Sequence, residues 1–185
     1  MASPRAKLVG IMALFALPIV ASTLAYHFFR PERATNHGEL IAPPPAFPDA
    51  VMRRADGGAF RFTELKGGWV LVASDAGACP ETCIAKLTLM RQVRLALGRE
   101  AGRVTRVFVS DDSRPVAAET AAPFEGTRFV SPPLGLALPP VPLNDRAHFY
   151  LADPNGNVMM RWPAGIEAKK VLQDLKRLLK ASQIG

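Results

Sequence analysis

Trp69-Val70-Leu71-Val72-Ala73-Ser74 is an uncharged run set off by Gly67-Gly68. A run without polar alternation suits a strand buried on both faces, which needs a sheet covered on each side. After a short loop, Pro80 and Glu81 open a segment in which Cys83, Leu87, Met90 and Leu97 recur at helical spacing, with Ile84 and Val93 widening the stripe. Proline suits the first helical position, and a glutamate suits the positive helix end. Lys86, Arg91 and Arg94 are assigned largely to the solvent side of this helix. Gly98 stops it, and the residues from Arg103 to Ser110 read as the next strand. A strand, a helix and a strand in succession imply parallel pairing.

Around this unit the pattern is mixed. Residues 50–54 and 59–65 flank Ala55-Asp56-Gly57-Gly58, and Asp-Gly is a strong hairpin-turn signal. Residues 113–142 are proline-rich, with room for a short helix around Val116–Ala122, and read as a long crossover. Residues 147–152 and 157–162 flank Asp153-Pro154-Asn155-Gly156, a second hairpin by its turn chemistry. Ile166, Val171, Leu172, Leu175, Leu178 and Leu179 then form one face of a terminal amphipathic helix. The expected fold is α/β: a thioredoxin-like plan with an N-terminal β-hairpin, preceded by one transmembrane helix.

That helix is read from Leu8 to Phe29, which contains no Lys, Arg, Asp or Glu. As a helix it spans about 33 Å, close to the thickness of bilayer hydrocarbon. Arg5 and Lys7 precede it and Arg30 and Arg33 follow it, so charge counting does not orient it. The rival reading is a cleaved signal peptide, with small-residue sites at Val20-Ala21-Ser22 and Thr23-Leu24-Ala25. Both readings export the following domain. The expected division is an anchor at 1–30, a proline-rich extended tether at 31–48 and a globular domain at 49–185. The net charge of +7 comes without an aromatic stacking pattern, which argues against nucleic acid as a partner. It leaves a solvated basic face, or attraction to anionic headgroups or an acidic protein.

Cys79 and Cys83 are the chain's two cysteines. On a helix, residues four apart face the same way with Cα atoms about 6.2 Å apart, within disulfide range. The bridge closes too short a ring to stabilise the fold much, which favours redox or metal chemistry over a staple. Helix N-terminal placement favours thiolate, and two convergent thiolates suit Cu(I). Cys79, at the start of the helix, is the expected attacking thiol with Cys83 resolving, and the small residues of "DAGA" ahead of it are expected to leave the pair open to a large partner.

The segment Gly67–Met90, with its C-P-x-x-C, resembles the Sco (SenC-type) assembly factors of cytochrome c oxidase. Tyr150–Val158 is similar to that family's Y-L-x-D-P-x-G hairpin, and Phe60–Gly67 to the element ahead of its first core strand. The resemblance covers residues 47–182. It implies a single-pass protein of the bacterial inner membrane with a thioredoxin fold in the periplasm. There Cys79 and Cys83, with a histidine, bind copper or reduce thiols of the oxidase copper-site subunit. The family's histidine position, counted back from Tyr150, is Asp145, and His148 is the nearest candidate ligand; His27 and His37 belong to the anchor and tether. Without imidazole the mechanism tilts toward thiol–disulfide exchange or transient Cu(I) handling. Two other functions stay open: a general thiol-disulfide oxidoreductase acting on another periplasmic thiol protein, and a non-catalytic scaffold with a degenerate metal site.

Overall fold

The structure, a computed structural model, describes residues 3–28, 36–133, 144–182 and 184. They fall into two units, Met1–Thr35 and Asn36–Gly185. The first is helix α1, Pro4–Phe28, with Pro18 inside it and every described side chain exposed. Among the described residues it is the one helix long and apolar enough to cross a membrane.

In chain order the second unit contains β1 (Glu39–Leu40), β2 (Met52–Arg54), β3 (Ala59–Phe60), β4 (Trp69–Asp75), α2 (Glu81–Ala96) and β5 (Val104–Ser110). There follow α3 (Ala118–Ala121), β6 (Thr127–Ser131), β7 (His148–Ala152), β8 (Val158–Pro163) and α4 (Ala168–Ala181). The strands form one mixed sheet in the order β1-β8-β7-β4-β5-β6-β2-β3. The uncharged run becomes the centre: β4 is buried at every position, parallel to β5 from Trp69–Val104 to Asp75–Ser110 and antiparallel to β7. β6 extends the parallel set, and β8 returns antiparallel on β7. At the far side β2 pairs antiparallel with both β6 and β3, placing Met52 opposite Phe60.

Alternation along the strands divides the core. Leu71, Ala73, Phe108, Phe149 and Trp162 face α2 and α4, meeting Cys83, Leu87, Met90, Val93, Val171 and Leu175. Val70, Val72, Val107, Val109 and Tyr150 face the other way, beneath Phe60, Phe62 and Leu65. Phe47 stacks on Phe62 with ring centroids 4.0 Å apart.

The described part of the proline-rich segment is not a free tether. From Asn36 onward it belongs to the domain: β1 pairs with β8, Ile41 N–H donates to Met159 O (2.9 Å), and Phe47 N–H donates to Gly156 O (3.0 Å). Extended, proline-rich backbone suits a sheet edge as well as it suits a linker. The decisive residue is Asp174, fully buried on the apolar face of α4. Its carboxylate accepts from His37 N–H (2.9 Å), Gly38 N–H (2.8 Å) and Trp162 Nε1 (3.0 Å). Gly38 is required there, because a Cβ would lie 2.5 Å from Trp162 Nε1. The crossover also differs from expectation. It holds the short helix α3, but also β6, bounded by Gly126 and Pro132; its residues 134–142 lie outside the described residues.

Replacing Asp174 strands three donors. Asp174→Ala should lower stability by about 3 kcal/mol in urea denaturation and expose residues 36–48 to proteolysis. Unchanged stability and protection would show that the segment is held by other contacts.

Candidate functional site

β4 delivers the chain at Asp75 to the loop Ala76–Pro80. Cys79 closes it, donating its N–H to Ala76 O (2.9 Å) with φ +46°, a left-handed conformation uncommon for a residue with a side chain. Pro80 follows as the N-cap, and α2 begins at Glu81. A residue before proline is steered away from the right-handed helical region, so Cys79 cannot join the helix. The two cysteines are therefore not on one regular helical turn as the spacing suggested. They are joined by a disulfide with Cα atoms 5.0 Å apart. Cys83 is completely buried, whereas Cys79 retains 8 % exposure.

The approach to the pair is more enclosed than the small residues of "DAGA" imply. Asp75 and Gly77 are buried, Ala76 is half-buried, and Ala78 alone of the four is exposed. Gly77 N–H donates to Asp112 Oδ1 (2.9 Å), and a Cβ at Gly77 would collide with the Arg114 carbonyl. The loop after β5 thus packs over the loop after β4. Burial works to raise the Asp112 pKa, but hydrogen bonds from Gly77 and Arg114 outweigh it and hold the carboxyl below its ordinary value.

Lys86 is not on a solvated face. Its side chain is 1 % exposed and its Nζ lies 2.7 Å from Asp75 Oδ2, itself 3 % exposed. The ammonium also donates to the carbonyls of Ser74 and Arg146, the latter at 3.1 Å. Thr82 Oγ1 donates to Asp75 Oδ2 (3.3 Å), and Arg146 clamps Asp111 at 2.6 and 2.7 Å. That hydrogen-bonded pair, more than the other neighbouring acids, raises the Arg146 pKa further. The signal for Lys86 was present in the sequence. It lies three residues after Cys83 and four before Met90, on the buried stripe, and a lysine there needs an acid such as the one ending the preceding strand.

His148, the candidate third ligand, is not gathered with the cysteines. Among the described residues no group of three or more His, Cys, Asp or Glu could hold a metal ion. His148 Nδ1 instead faces Asp145 Oδ2 at 2.7 Å, and Tyr150 Oη donates to the same oxygen at 2.6 Å. Asp145 also accepts from Ala147 N–H (2.9 Å), and its carbonyl accepts from Ser74 Oγ (3.1 Å). Burial pushes its pKa up, but the Tyr150, Ala147 and His148 hydrogen bonds prevail and keep it lowered. Burial and this same acceptor raise the Tyr150 pKa. His37 is spent elsewhere, with Nε2 2.9 Å from Gln173 Oε1. His27 ends α1. Among the described residues, no third His, Cys, Asp or Glu joins the two cysteines in a group that could hold a metal ion.

Residues 69–182 match the family described as transmembrane-like, thioredoxin-like, C-terminal domain. The chain belongs to this family. Its fold is shared with solved Sco structures. Copper-bound Sco1 from yeast is 15 % identical with a TM-score of 0.63, over 76 % of this chain and 96 % of that one. Copper-bound ScoI from Bradyrhizobium japonicum is 21 % identical with a TM-score of 0.56, over 74 % and 99 %. BsSco, described as carrying a disulfide switch and as a member of the Sco family of cytochrome c oxidase assembly proteins, is 17 % identical with a TM-score of 0.55, over 78 % and 100 %. No curated protein matches the sequence. At these identities the likeness establishes a common fold.

Two measurements test the polar framework. Lys86→Met leaves Asp75 buried with one cation fewer and should cost about 3–5 kcal/mol in chemical denaturation, whereas Asp75→Leu/Lys86→Met should recover most of it. A double variant no better than the single one would show that the pair does more than compensate charge. Asp145→Ala should cost about 2 kcal/mol at pH 7. Because the folded-state pKa is depressed, the Asp145 contribution is complete above about pH 4 and fades as pH falls through the folded-state value. The difference between variant and parent should therefore shrink at pH 3; a pH-independent difference would remove the carboxylate from the account.

Proposed function

We propose that this protein is a membrane-anchored assembly factor acting through the Cys79–Cys83 couple on the copper site of a cytochrome c oxidase, with its domain on the periplasmic side. Helix α1 is the anchor, and the domain, with β2 and β3 as its N-terminal hairpin, begins by Asn36. The observation that carries the reading is the asymmetry of the pair: Cys79 touches solvent at the end of a strained loop, while Cys83, in the first turn of α2, is sealed from solvent. A partner sulfur can reach only Cys79. In its reduced form the pair attacks a partner disulfide through Cys79, forming a mixed disulfide and releasing one partner thiol. Cys83 then displaces the second partner thiol and closes the Cys79–Cys83 bond, so two electrons and two protons pass to the partner.

Copper enters as cargo. Two thiolates without an imidazole fit two-coordinate Cu(I) and lack the nitrogen donor suited to Cu(II). The fold shared with copper-bound Sco proteins, and with a Sco protein described by its disulfide switch, supports both halves of the reading. A general oxidoreductase would show the same exchange without preference for an oxidase subunit, and a scaffold would show none.

Cys83→Ser should trap a mixed disulfide between Cys79 and an oxidase copper-site subunit in membranes, while Cys79→Ser should trap nothing. Anaerobic titration of the reduced protein should give one Cu(I), lost in both single variants. Tight Cu(I) binding retained by Cys79→Ser/Cys83→Ser would move the site to other donors, His148 or the Met159–Met160 pair. Identical behaviour of the two single variants in the trap would sink the assignment of attacking and resolving roles.

A further inference from the structure

Arg106 lies on β5 between Val104 and Phe108, pointing into the side of the sheet covered by α2, and is 3 % exposed. Its Nη2 donates to the Glu125 carbonyl, but Nε and Nη1 are buried without an acceptor among the described residues. Its register partner on β6 is Thr127, whose hydroxyl is likewise buried and without a partner. Gly126, at φ +79°, lets the chain turn against this guanidinium; a Cβ there would sit 3.3 Å from Nη2.

The electrostatics make the arrangement more unusual. Burial depresses the Arg106 pKa, and the charges of Arg94 and Arg91 from the last turns of α2 depress it further. Arg94 uses its Nε on the Val104 carbonyl (3.0 Å), and Arg91 is exposed. A buried charge is ordinarily paired and hydrogen-bonded, whereas Nε and Nη1 of this guanidinium meet no acceptor among the described residues. The unfilled donors define what that is. Guanidinium N–H groups beside a hydroxyl match the oxygens of a phosphate or carboxylate, which accept charge-assisted hydrogen bonds.

We propose that Arg106 and Thr127, with Arg94 and Arg91, form a binding site for a small oxyanion, a phosphate or carboxylate group, separate from the cysteine loop. Arg91 draws the anion and Arg106 holds it. The site draws Arg91 and Arg94 from the C-terminal half of the helix whose N-terminus carries Cys83, and Arg106 and Thr127 from β5 and β6.

The full-length chain in detergent is titrated by calorimetry with inorganic phosphate and, separately, with acetate, each against chloride at equal ionic strength, and thermal unfolding is followed in the same buffers. Saturable binding with a raised melting temperature is expected for at least one of the two. Phosphate alone would identify a free or esterified phosphate as the ligand, and acetate alone a carboxylate. Arg106→Gln should abolish the response and Arg91→Gln/Arg94→Gln should weaken it about tenfold, the loss of roughly one charge-assisted contact. The double variant changes exposed and half-exposed positions, so it decides the matter even if Arg106→Gln does not fold. Absence of any response beyond chloride in the parent protein, or an unaltered response in Arg91→Gln/Arg94→Gln, overturns the proposal.

Discussion

The ion pair between Asp75 and Lys86 is the constraint on which the site depends. Two opposite charges, each almost wholly out of water, join the last residue of the central strand to the first full turn after Cys83. Desolvating such a pair costs several kcal/mol per ion, and attraction alone does not guarantee a net gain. Additional partners offset the cost: Lys86 also meets two carbonyls, and Asp75 receives Thr82 and its own next backbone N–H at Ala76. Each partner lies on a different piece of the loop region, so the pair sets the geometry of the strand end, the cysteine loop, the helix and the 145–147 turn together. The strained φ at Cys79 is tolerable because both flanks of that loop are held.

Much of the scaffold was legible. The central strand, the amphipathic stripe of α2, the following parallel strand, the C-terminal strand pair and α4 all rest on periodicity and turn residues, which are local properties. What the chain concealed was pairing between distant segments. The docking of residues 36–48 depends on a carboxylate more than 130 residues away, and nothing near His37 announces Asp174. β6 is short and embedded among prolines, so composition argued for a loop where tertiary pairing with β5 makes a strand. Lys86 was read as surface charge because lysine usually is, although its spacing put it among buried positions.

The site was half legible for the same reason. C-P-x-x-C directly after a buried strand located the cysteines, but the idealised helix misjudged Cys79, since proline excludes its predecessor from the helix. The position where the Sco resemblance calls for histidine holds Asp145, and the structure shows that carboxylate committed to Tyr150, His148 and Ala147. It organises its own turn, away from the two cysteines.

Among the described residues the sheet ends at both sides in strands only two residues long, β1 and β3. A long exposed edge is a template for pairing with a neighbouring chain, and short edges bearing charge or followed by proline are how soluble sheets avoid it. Here Glu39 on β1 is engaged by Arg161, and Pro43-Pro44-Pro45 removes three backbone donors directly downstream, while β3 runs at once into the Arg61–Leu65 turn. An eight-stranded sheet with such edges offers little backbone for a second molecule to add to. Copies of this domain can therefore be crowded together without their sheets joining edge to edge, and self-association would have to proceed through side chains.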